Sequence, residues 1–321
     1  MKSPVAIVGA GVSGLTTAVV FAERGYEVAI FADETGSRTT SAAAGAIWFP
    51  YDAEPANKVI PWALETYQVL VGLAREPRSG VSIIELRQFS REKIIEVPDW
   101  ARSLGAVVIS TEMEKSLTAF PSGFSLRVPL TDTTIYLDYL RDRLTSAGGA
   151  IRGDVHLERL EEIDPKFDLV INCAGFGAKK LVNDPDLEPH RGQVAIVPKI
   201  DGLSCAIVCD DPPLMYAIPR TNDCVFGGTN EVNGDRKIDP AATSQIISEC
   251  CRVLNIAGPK ILDQRVGLRP FRKSGVRLER EKLRDGRIVI HNYGHGGAGF
   301  TLSWGCAENA FDLLVGKAAG I

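Results

Sequence analysis

The chain begins with an apolar run, Val5-Ala6-Ile7-Val8, which breaks into the small residues Gly9-Ala10-Gly11-Val12-Ser13-Gly14 before an amphipathic pattern opens at Leu15. Leu15, Ala18, Val19 and Ala22 stand at offsets 0, 3, 4 and 7, one face of a helix, and Gly25 suits its C-terminal cap. Glu27-Val28-Ala29-Ile30-Phe31 then reads as the second strand of a βαβ unit. Further on, Val59, Trp62, Ala63, Tyr67 and Leu70 predict a long amphipathic helix over residues 57–75. Residues 81–129 change character: short runs such as Ser82-Ile83-Ile84-Glu85-Leu86 and Ala106-Val107-Val108-Ile109, punctuated by Pro and Gly, are strand chemistry and mark a change of domain.

Asp132 caps a predicted helix whose stripe is Leu137, Leu140 and Leu144 and whose end is Gly148-Gly149. Asp168-Leu169-Val170-Ile171 is a buried strand that runs into Asn172-Cys173-Ala174-Gly175 and rejoins the first layer. Arg191-Gly192-Gln193 starts a second strand-rich stretch, followed by a helix carrying Ile246, Ile247, Cys250 and Leu254. The chain then returns to strand, glycine-rich turn and helix: Arg287-Ile288-Val289-Ile290-His291-Asn292, residues 293–299, and a helix from Phe300 with Ala307, Ala310, Phe311 and Leu314 on one face.

A length of 321 residues implies two domains at about 150 residues each. A net charge of −4 with both signs scattered excludes a surface built for nucleic acid or an anionic membrane. With no run of about 18 apolar residues, no membrane span is expected, and the chain reads as cytoplasmic. Cys173, Cys205, Cys209, Cys224, Cys250, Cys251 and Cys306 lack the spacings of a zinc site or disulfide framework and read as small buried apolar residues. His291 and His295 are four apart but interleaved with glycines, so no helix presents both to a metal, and none is expected.

The first turn carries the chemistry. In Gly9-Ala10-Gly11-Val12-Ser13-Gly14, Gly9 permits the tight turn, Gly11 admits a pyrophosphate against the backbone, and Gly14 lets helix pack on strand. An acid for the adenosine ribose is due at the end of the second strand; the usual count lands on Ala32, with Asp33 one residue late. A second helix N-terminus after residues 293–299 offers another set of amides for developing negative charge, which suits FAD better than NAD. The stretch Thr39-Thr40-Ser41-Ala42-Ala43-Ala44-Gly45 is small enough for backbone to lie against a ligand, and Trp48, Phe49 and Tyr51 either wall a pocket or lead into an ordinary core.

Taken together, these segments resemble the D-amino-acid oxidase family. The resemblance runs from the first glycine turn through Ala42-Ala43-Ala44-Gly45-Ala46-Ile47-Trp48-Phe49-Pro50-Tyr51, Asn172-Cys173-Ala174-Gly175 and Arg191-Gly192-Gln193. It continues through Tyr216-Ala217-Ile218-Pro219 and Gly267-Leu268-Arg269-Pro270 to His291-Asn292-Tyr293-Gly294-His295-Gly296-Gly297-Ala298-Gly299. That family also places Ala-Asp at the end of the second strand, which accounts for Asp33. The resemblance implies a Rossmann-like α/β FAD-binding domain, assigned to residues 1–50, 130–190 and 262–321. The remainder, 51–129 and 191–261, is assigned to an α+β substrate domain on an antiparallel sheet.

The implied activity is FAD-dependent oxidative deamination of neutral, mostly apolar D-amino acids to 2-oxo acids, ammonia and hydrogen peroxide. A glycine or sarcosine oxidase, or a dehydrogenase with another electron acceptor, is the alternative. By resemblance Arg269 grips the substrate carboxylate, Tyr216 adds a hydrogen bond to it, and the Gly297 carbonyl accepts from the substrate amine. Phe49, Tyr51 and Ile218 line the substrate side. On the cofactor side the resemblance implies Arg38, Thr39 and Thr40 near the pyrophosphate or adenosine, Val155 at adenine, and Thr301 near the flavin C2 carbonyl. Ala44, Gly45, Cys173, Ala174, Gly175, His295, Gly296, Gly299 and Phe300 are expected on the same cofactor. The lid, Cys209-Asp210-Asp211-Pro212-Pro213-Leu214, is short and lacks a tyrosine that vertebrate members carry, and Cys209 stands where D-aspartate oxidases place an arginine. Acidic substrates are therefore disfavoured unless Arg220 points inward. The resemblance also admits a homodimer, for which no stretch defines an interface.

Overall fold

The apolar run at the start of the chain becomes β1 (Val5–Val8), buried at all four positions and paired in parallel with a strand on either side. In the computed structural model, which describes residues 2–92, 94–109 and 120–316, this strand lies within a six-stranded sheet. Across the sheet run β14 (Arg277–Lys282), β15 (Ile288–Tyr293), β7 (Leu169–Asn172), β1, β2 (Val28–Phe31) and β6 (Ala150–Arg152). All pairs are parallel except β14 with β15.

The second sheet has nine strands. In order they are β12 (Glu231–Val232), β8 (Leu187–Pro198), β11 (Asp223–Gly227), β10 (Met215–Pro219), β9 (Cys205–Cys209), β3 (Val81–Ser90), β5 (Ser122–Thr131) and β4 (Val107–Ile109), with β13 (Asp263–Arg272) also on β8. It is antiparallel throughout except where β3 meets β9. Among the described residues seven α-helices accompany the sheets: α1 (Val12–Glu23), α2 (Ala56–Leu73), α3 (Asp99–Ser103), α4 (Thr133–Ser146), α5 (Ala178–Leu181), α6 (Pro240–Leu254) and α7 (Gly299–Val315). Helix α7 packs on both α1 and α2, α1 packs in turn on α4, and α6 covers β8, β10 and β11 of the larger sheet.

Several local expectations hold in detail. Asp132 caps α4 by accepting the Thr134 N–H at 3.1 Å, and Leu137, Leu140 and Leu144 are buried. Among the described residues no disulfide joins any of the seven cysteines; six are buried, and four of those (Cys205, Cys209, Cys224 and Cys250) sit in one apolar cluster beneath α6. Among the described residues no helix is long and apolar enough to cross a membrane.

Others are corrected. Helix α1 begins at Val12 rather than Leu15, because the Leu15 N–H already bonds to the Gly11 carbonyl at 2.9 Å. It is buried almost all round rather than along one stripe, since it is enclosed by its sheet, α4 and α7. Strand β13 joins the larger sheet although it was expected with the cofactor layer, and α2, expected with the substrate domain, packs on α7. The α2–α7 crossing is close: the Gly305 N–H donates to Thr66 Oγ1 at 2.9 Å, and a Cβ at Gly305 would lie 2.3 Å from the Trp62 carbonyl oxygen.

Two predictions follow from this packing. Gly305→Ala forces the helices apart and costs about 1–3 kcal/mol of stability, read by urea denaturation. His291, buried beside Asn172 and Glu281, is pushed down to about 4, chiefly by burial with the Arg277 charge adding to it. The unfolded chain therefore binds a proton below its ordinary pKa near 6.5 that the native state refuses until about 4. The contribution of His291 should be full above about pH 6.5 and fall by about 1.4 kcal/mol per pH unit on acidification towards 4. His291→Gln should make that fall shallower, and an unchanged slope would refute the assignment.

Candidate active site

One continuous cavity of about 490 Å³ receives residues from both glycine turns, from the end of β2 and from the larger sheet. At its first turn Gly9 has φ +107°, and a Cβ there would lie 2.4 Å from the Cys173 carbonyl oxygen. Gly9, Ala10, Gly11, Val12 and Ser13 line the cavity, whereas Gly14 lies beneath, where a Cβ would meet the Gly9 carbonyl oxygen. Gly14 therefore serves helix–strand packing. Ser41, which sequence reasoning passed over, accepts the Val12 N–H at 2.9 Å and lines the same wall. The only hint of it was a hydroxyl within the small-residue stretch.

Asp33 lines the cavity at the end of β2 and lies 3.3 Å from His156 Nδ1. Val155 lines it too, its amide bonded to the Ala32 carbonyl at 3.0 Å. Thr39, Thr40, Ala44, Gly45, Cys173, Ala174 and Gly175 are all at the wall. Burial pushes the Cys173 thiol up to about 12, so it is no thiolate nucleophile. Arg38 is the exception: it does not reach the cavity, because Asp154 Oδ1 holds its Nη2 at 2.6 Å on the exposed side.

At the second turn, His295, Gly296, Gly297, Gly299, Phe300 and Thr301 line the cavity, and α7 starts there with no side-chain cap. His295 is pushed down to about 4 by burial and is neutral; its Nε2 lies 3.0 Å from Asn292 Oδ1 and its Nδ1 3.4 Å from Ser13 Oγ. The Thr301 hydroxyl is committed to Phe49, donating to its carbonyl at 2.9 Å and accepting its N–H at 3.1 Å. Thr301 thus fixes Phe49 with its side chain, and what it offers the cavity is backbone.

Arg269, Tyr216, Tyr51, Phe49 and Ile218 come together in the same cavity. The Arg269 guanidinium lies across Gly192 of β8, where a Cβ would fall 2.4 Å from Nη2. Its Nη1 donates to the Thr229 carbonyl at 2.9 Å and to Asn230 Oδ1 at 3.3 Å, while Asn230 Nδ2 donates to the Tyr51 hydroxyl at 2.9 Å. Burial raises both phenols, Tyr51 to about 12, against the opposing Arg269 charge, so both stay protonated and available as donors. Gly297 sits against the Tyr51 ring, 2.6 Å from where its Cβ would be. Arg220 does not point inward: it is buried, ion-paired with Asp223 at 2.7 Å and bonded to Thr133. Cys209 is buried in the cluster beneath α6, and it is the next residue, Asp210, that reaches the cavity.

The donor set fits a dinucleotide flavin. Two helix N-termini open on one cavity, neither capped by its own N-cap side chain, a glycine face there would be filled by any Cβ, and an acid stands at the end of the second strand.

The family described as FAD dependent oxidoreductase (DAO) matches residues 4–313. A D-amino-acid oxidase of Rubrobacter xylanophilus is 40% identical over 311 residues, covering 96% of this chain and 94% of its own length. A D-amino-acid oxidase of Streptomyces coelicolor is 40% identical over 315 residues, 96% of each chain. The solved glycine oxidase from Geobacillus kaustophilus shares the fold with a TM-score of 0.84 at 19% identity, over 99% of this chain and 96% of its own. A match that runs nearly end to end, on a cavity built for a dinucleotide flavin, makes this chain a member of the FAD-dependent oxidoreductase family to which these D-amino-acid oxidases belong.

Proposed function

We propose that the chain is a D-amino-acid oxidase that deaminates neutral, mostly apolar D-amino acids with molecular oxygen, giving the 2-oxo acid, ammonia and hydrogen peroxide. The observation that carries this reading is the Arg269 guanidinium laid over Gly192 in the same cavity as Tyr216, Tyr51 and both glycine turns. A fixed, planar, always-charged fork is what bidentate carboxylate recognition requires. The protonated Tyr216 hydroxyl donates to the same carboxylate, and the Gly297 carbonyl accepts from the substrate amine, which binds unprotonated. Phe49, Ile218 and Leu214 give the region around the α-carbon apolar walls.

FAD is the cofactor; when bound, it supplies the acceptor for the α-hydrogen and returns the electrons to oxygen. Gly9, Ala10, Gly11, Val12 and Ser13 would hold its pyrophosphate and Asp33 its ribose. The wall from Thr39 to Gly45, with Val155 and Cys173 to Gly175, would hold its adenosine side. The second turn would take its ring carbonyls. No acid or base side chain is needed at the reacting carbon, so positioning and charge complementarity are the protein's contribution. The two sheets support a division into a cofactor domain and a substrate domain, with β13 moved to the latter. Among the described residues no disulfide joins any of the cysteines, which agrees with a cytoplasmic setting.

Anaerobic bleaching of the yellow protein tests the reading, with D-amino acids beside their L-enantiomers, glycine and sarcosine. Bleaching by neutral D-amino acids is expected, and bleaching by glycine or sarcosine alone would move the protein to the amine oxidases. Arg269→Leu should retain flavin and lose about 2–5 kcal/mol of substrate or transition-state binding in kcat/KM. Gly192→Ala should fail in the same direction by displacing the guanidinium, and near-normal efficiency in both variants would overturn the carboxylate site.

A further inference from the structure

A charged side chain on the substrate side of the cavity has no part in the reading above. Asp210 follows the last residue of β9 and lines the cavity beside Tyr51, Leu214 and Tyr216. It also lines an adjoining pocket of about 350 Å³ whose wall carries Glu231 and Glu249. Its Oδ2 accepts a hydrogen bond from Gln88 Nε2 at 3.1 Å, and among the described residues no arginine or lysine forms an ion pair with it.

Glu231 is exposed to solvent, whereas the more enclosed neighbouring carboxylates already have partners. Asp211 takes Ser90 Oγ at 2.8 Å and the Arg91 N–H at 2.7 Å, and Glu249 pairs with Arg91 at 2.8 Å and Arg252 at 2.7 Å. Asp52 lies 3.2 Å from His190 Nδ1. Once a substrate carboxylate sits on Arg269, Asp210 is left beside Tyr51 and Tyr216 with no ion-pair partner among the described residues. Burial first, with the Asp211 charge behind it, lifts Asp210 to about 6, which leaves it ionised at neutral pH. A half-buried carboxylate without a cation is costly unless a ligand brings one.

Resting on the D-amino-acid oxidase reading above, we propose that Asp210 is a specificity residue for substrate side chains that end in a cation. D-amino acids with an amine or guanidinium on an aliphatic stem bind with the α-carboxylate on Arg269 and the terminal charge on Asp210. The apolar walls of Phe49, Ile218 and Leu214 suit the methylene stem between them. The side-chain requirement is thus apolar near the α-carbon and acidic at the far end, which extends the range beyond neutral substrates and excludes acidic ones.

The test compares D-lysine with D-norleucine, which keeps the stem and lacks the amine, using the FAD-loaded enzyme and two variants. In the parent, D-lysine is expected as a substrate with kcat/KM within about tenfold of D-norleucine or better, an allowance of about one decade in binding. In Asp210→Asn the ratio of kcat/KM for D-lysine to that for D-norleucine should fall at least about tenfold, mostly through KM. Asp210→Glu should restore most of the ratio, and flavin content with a thermal melt shows that each variant is folded. An unchanged ratio in Asp210→Asn, or a parent that oxidises D-norleucine and rejects D-lysine, overturns the proposal. A flavin-loaded parent that oxidises no D-amino acid overturns instead the reading on which it rests.

Discussion

The hydrogen bonds that tie the two glycine turns together are the interaction on which the cavity depends. Ser13 in the first turn meets His295 in the second, His295 meets Asn292, and Asn292 Nδ2 donates to Thr17 Oγ1 on α1 at 3.1 Å. Thr17 in turn donates to the Ser13 carbonyl at 2.7 Å, which closes the circuit. Every member is enclosed or nearly so, and a single unmade bond in such a place costs about 1–3 kcal/mol. The circuit holds only while His295 is neutral: with Nε2–H donating to Asn292, Nδ1 is free to accept from Ser13, as the bonding pattern assigns. Burial keeps the ring in that state. The outcome is that α1 and α7 start side by side, aiming two helix N-termini into one cavity from opposite ends of the chain.

The substrate end obeys a different constraint, the pairing of charge in a half-buried space. Arg269 is held by a carbonyl and an amide oxygen rather than by a carboxylate, so its charge is oriented but not neutralised. Asp52 and His190, by contrast, satisfy one another beneath the second turn. Seating Arg269 on neutral acceptors keeps its planar fork free for an incoming anion, at the cost of holding an uncompensated cation when the site is empty. Asp210 shows the same economy with the opposite sign. A cation and an anion with no ion-pair partner among the described residues, in a cavity that also has apolar walls, are complementary to a zwitterion whose charges are separated by an aliphatic stem.

What the sequence made legible is what is local. The run Val5–Val8, the three glycines and the cap at Asp132 each act within a few residues of themselves, and each stands where its spacing put it. The glycine turn before α7 was readable for the same reason. What failed were statements about which of two neighbours faces the ligand. Cys209 and Asp210 are adjacent, and strand alternation sends the first into the apolar cluster and the second to the cavity. The phase of that alternation depends on what covers each face. Arg38 was drawn from the cavity by Asp154, a residue far along the chain, and Thr301 spends its hydroxyl on Phe49. The all-round burial of α1, Thr16 and Thr17 included, was likewise hidden, because it depends on which other elements enclose the helix.

The position of Arg269 is the least local of these facts, and strand register explains it. On β13 Arg269 stands opposite His190 of β8, and Gly267 stands opposite Gly192. Its side chain lies diagonally across to Gly192 on the face shared by His190 and Phe271, whose rings stack at 4.3 Å. The alternate residues of β8, Arg191 and Gln193, bond instead to Lys237, Asp239 and Thr243 around the start of α6. A slip of one residue would move Arg269 to that second face, setting its charge beside the buried Arg191 and taking its guanidinium out of the cavity. The pairing that prevents the slip joins strands far apart in the chain, so Arg269 of the motif Gly267-Leu268-Arg269-Pro270 reaches the cavity only because β8 meets it with a glycine at the right place.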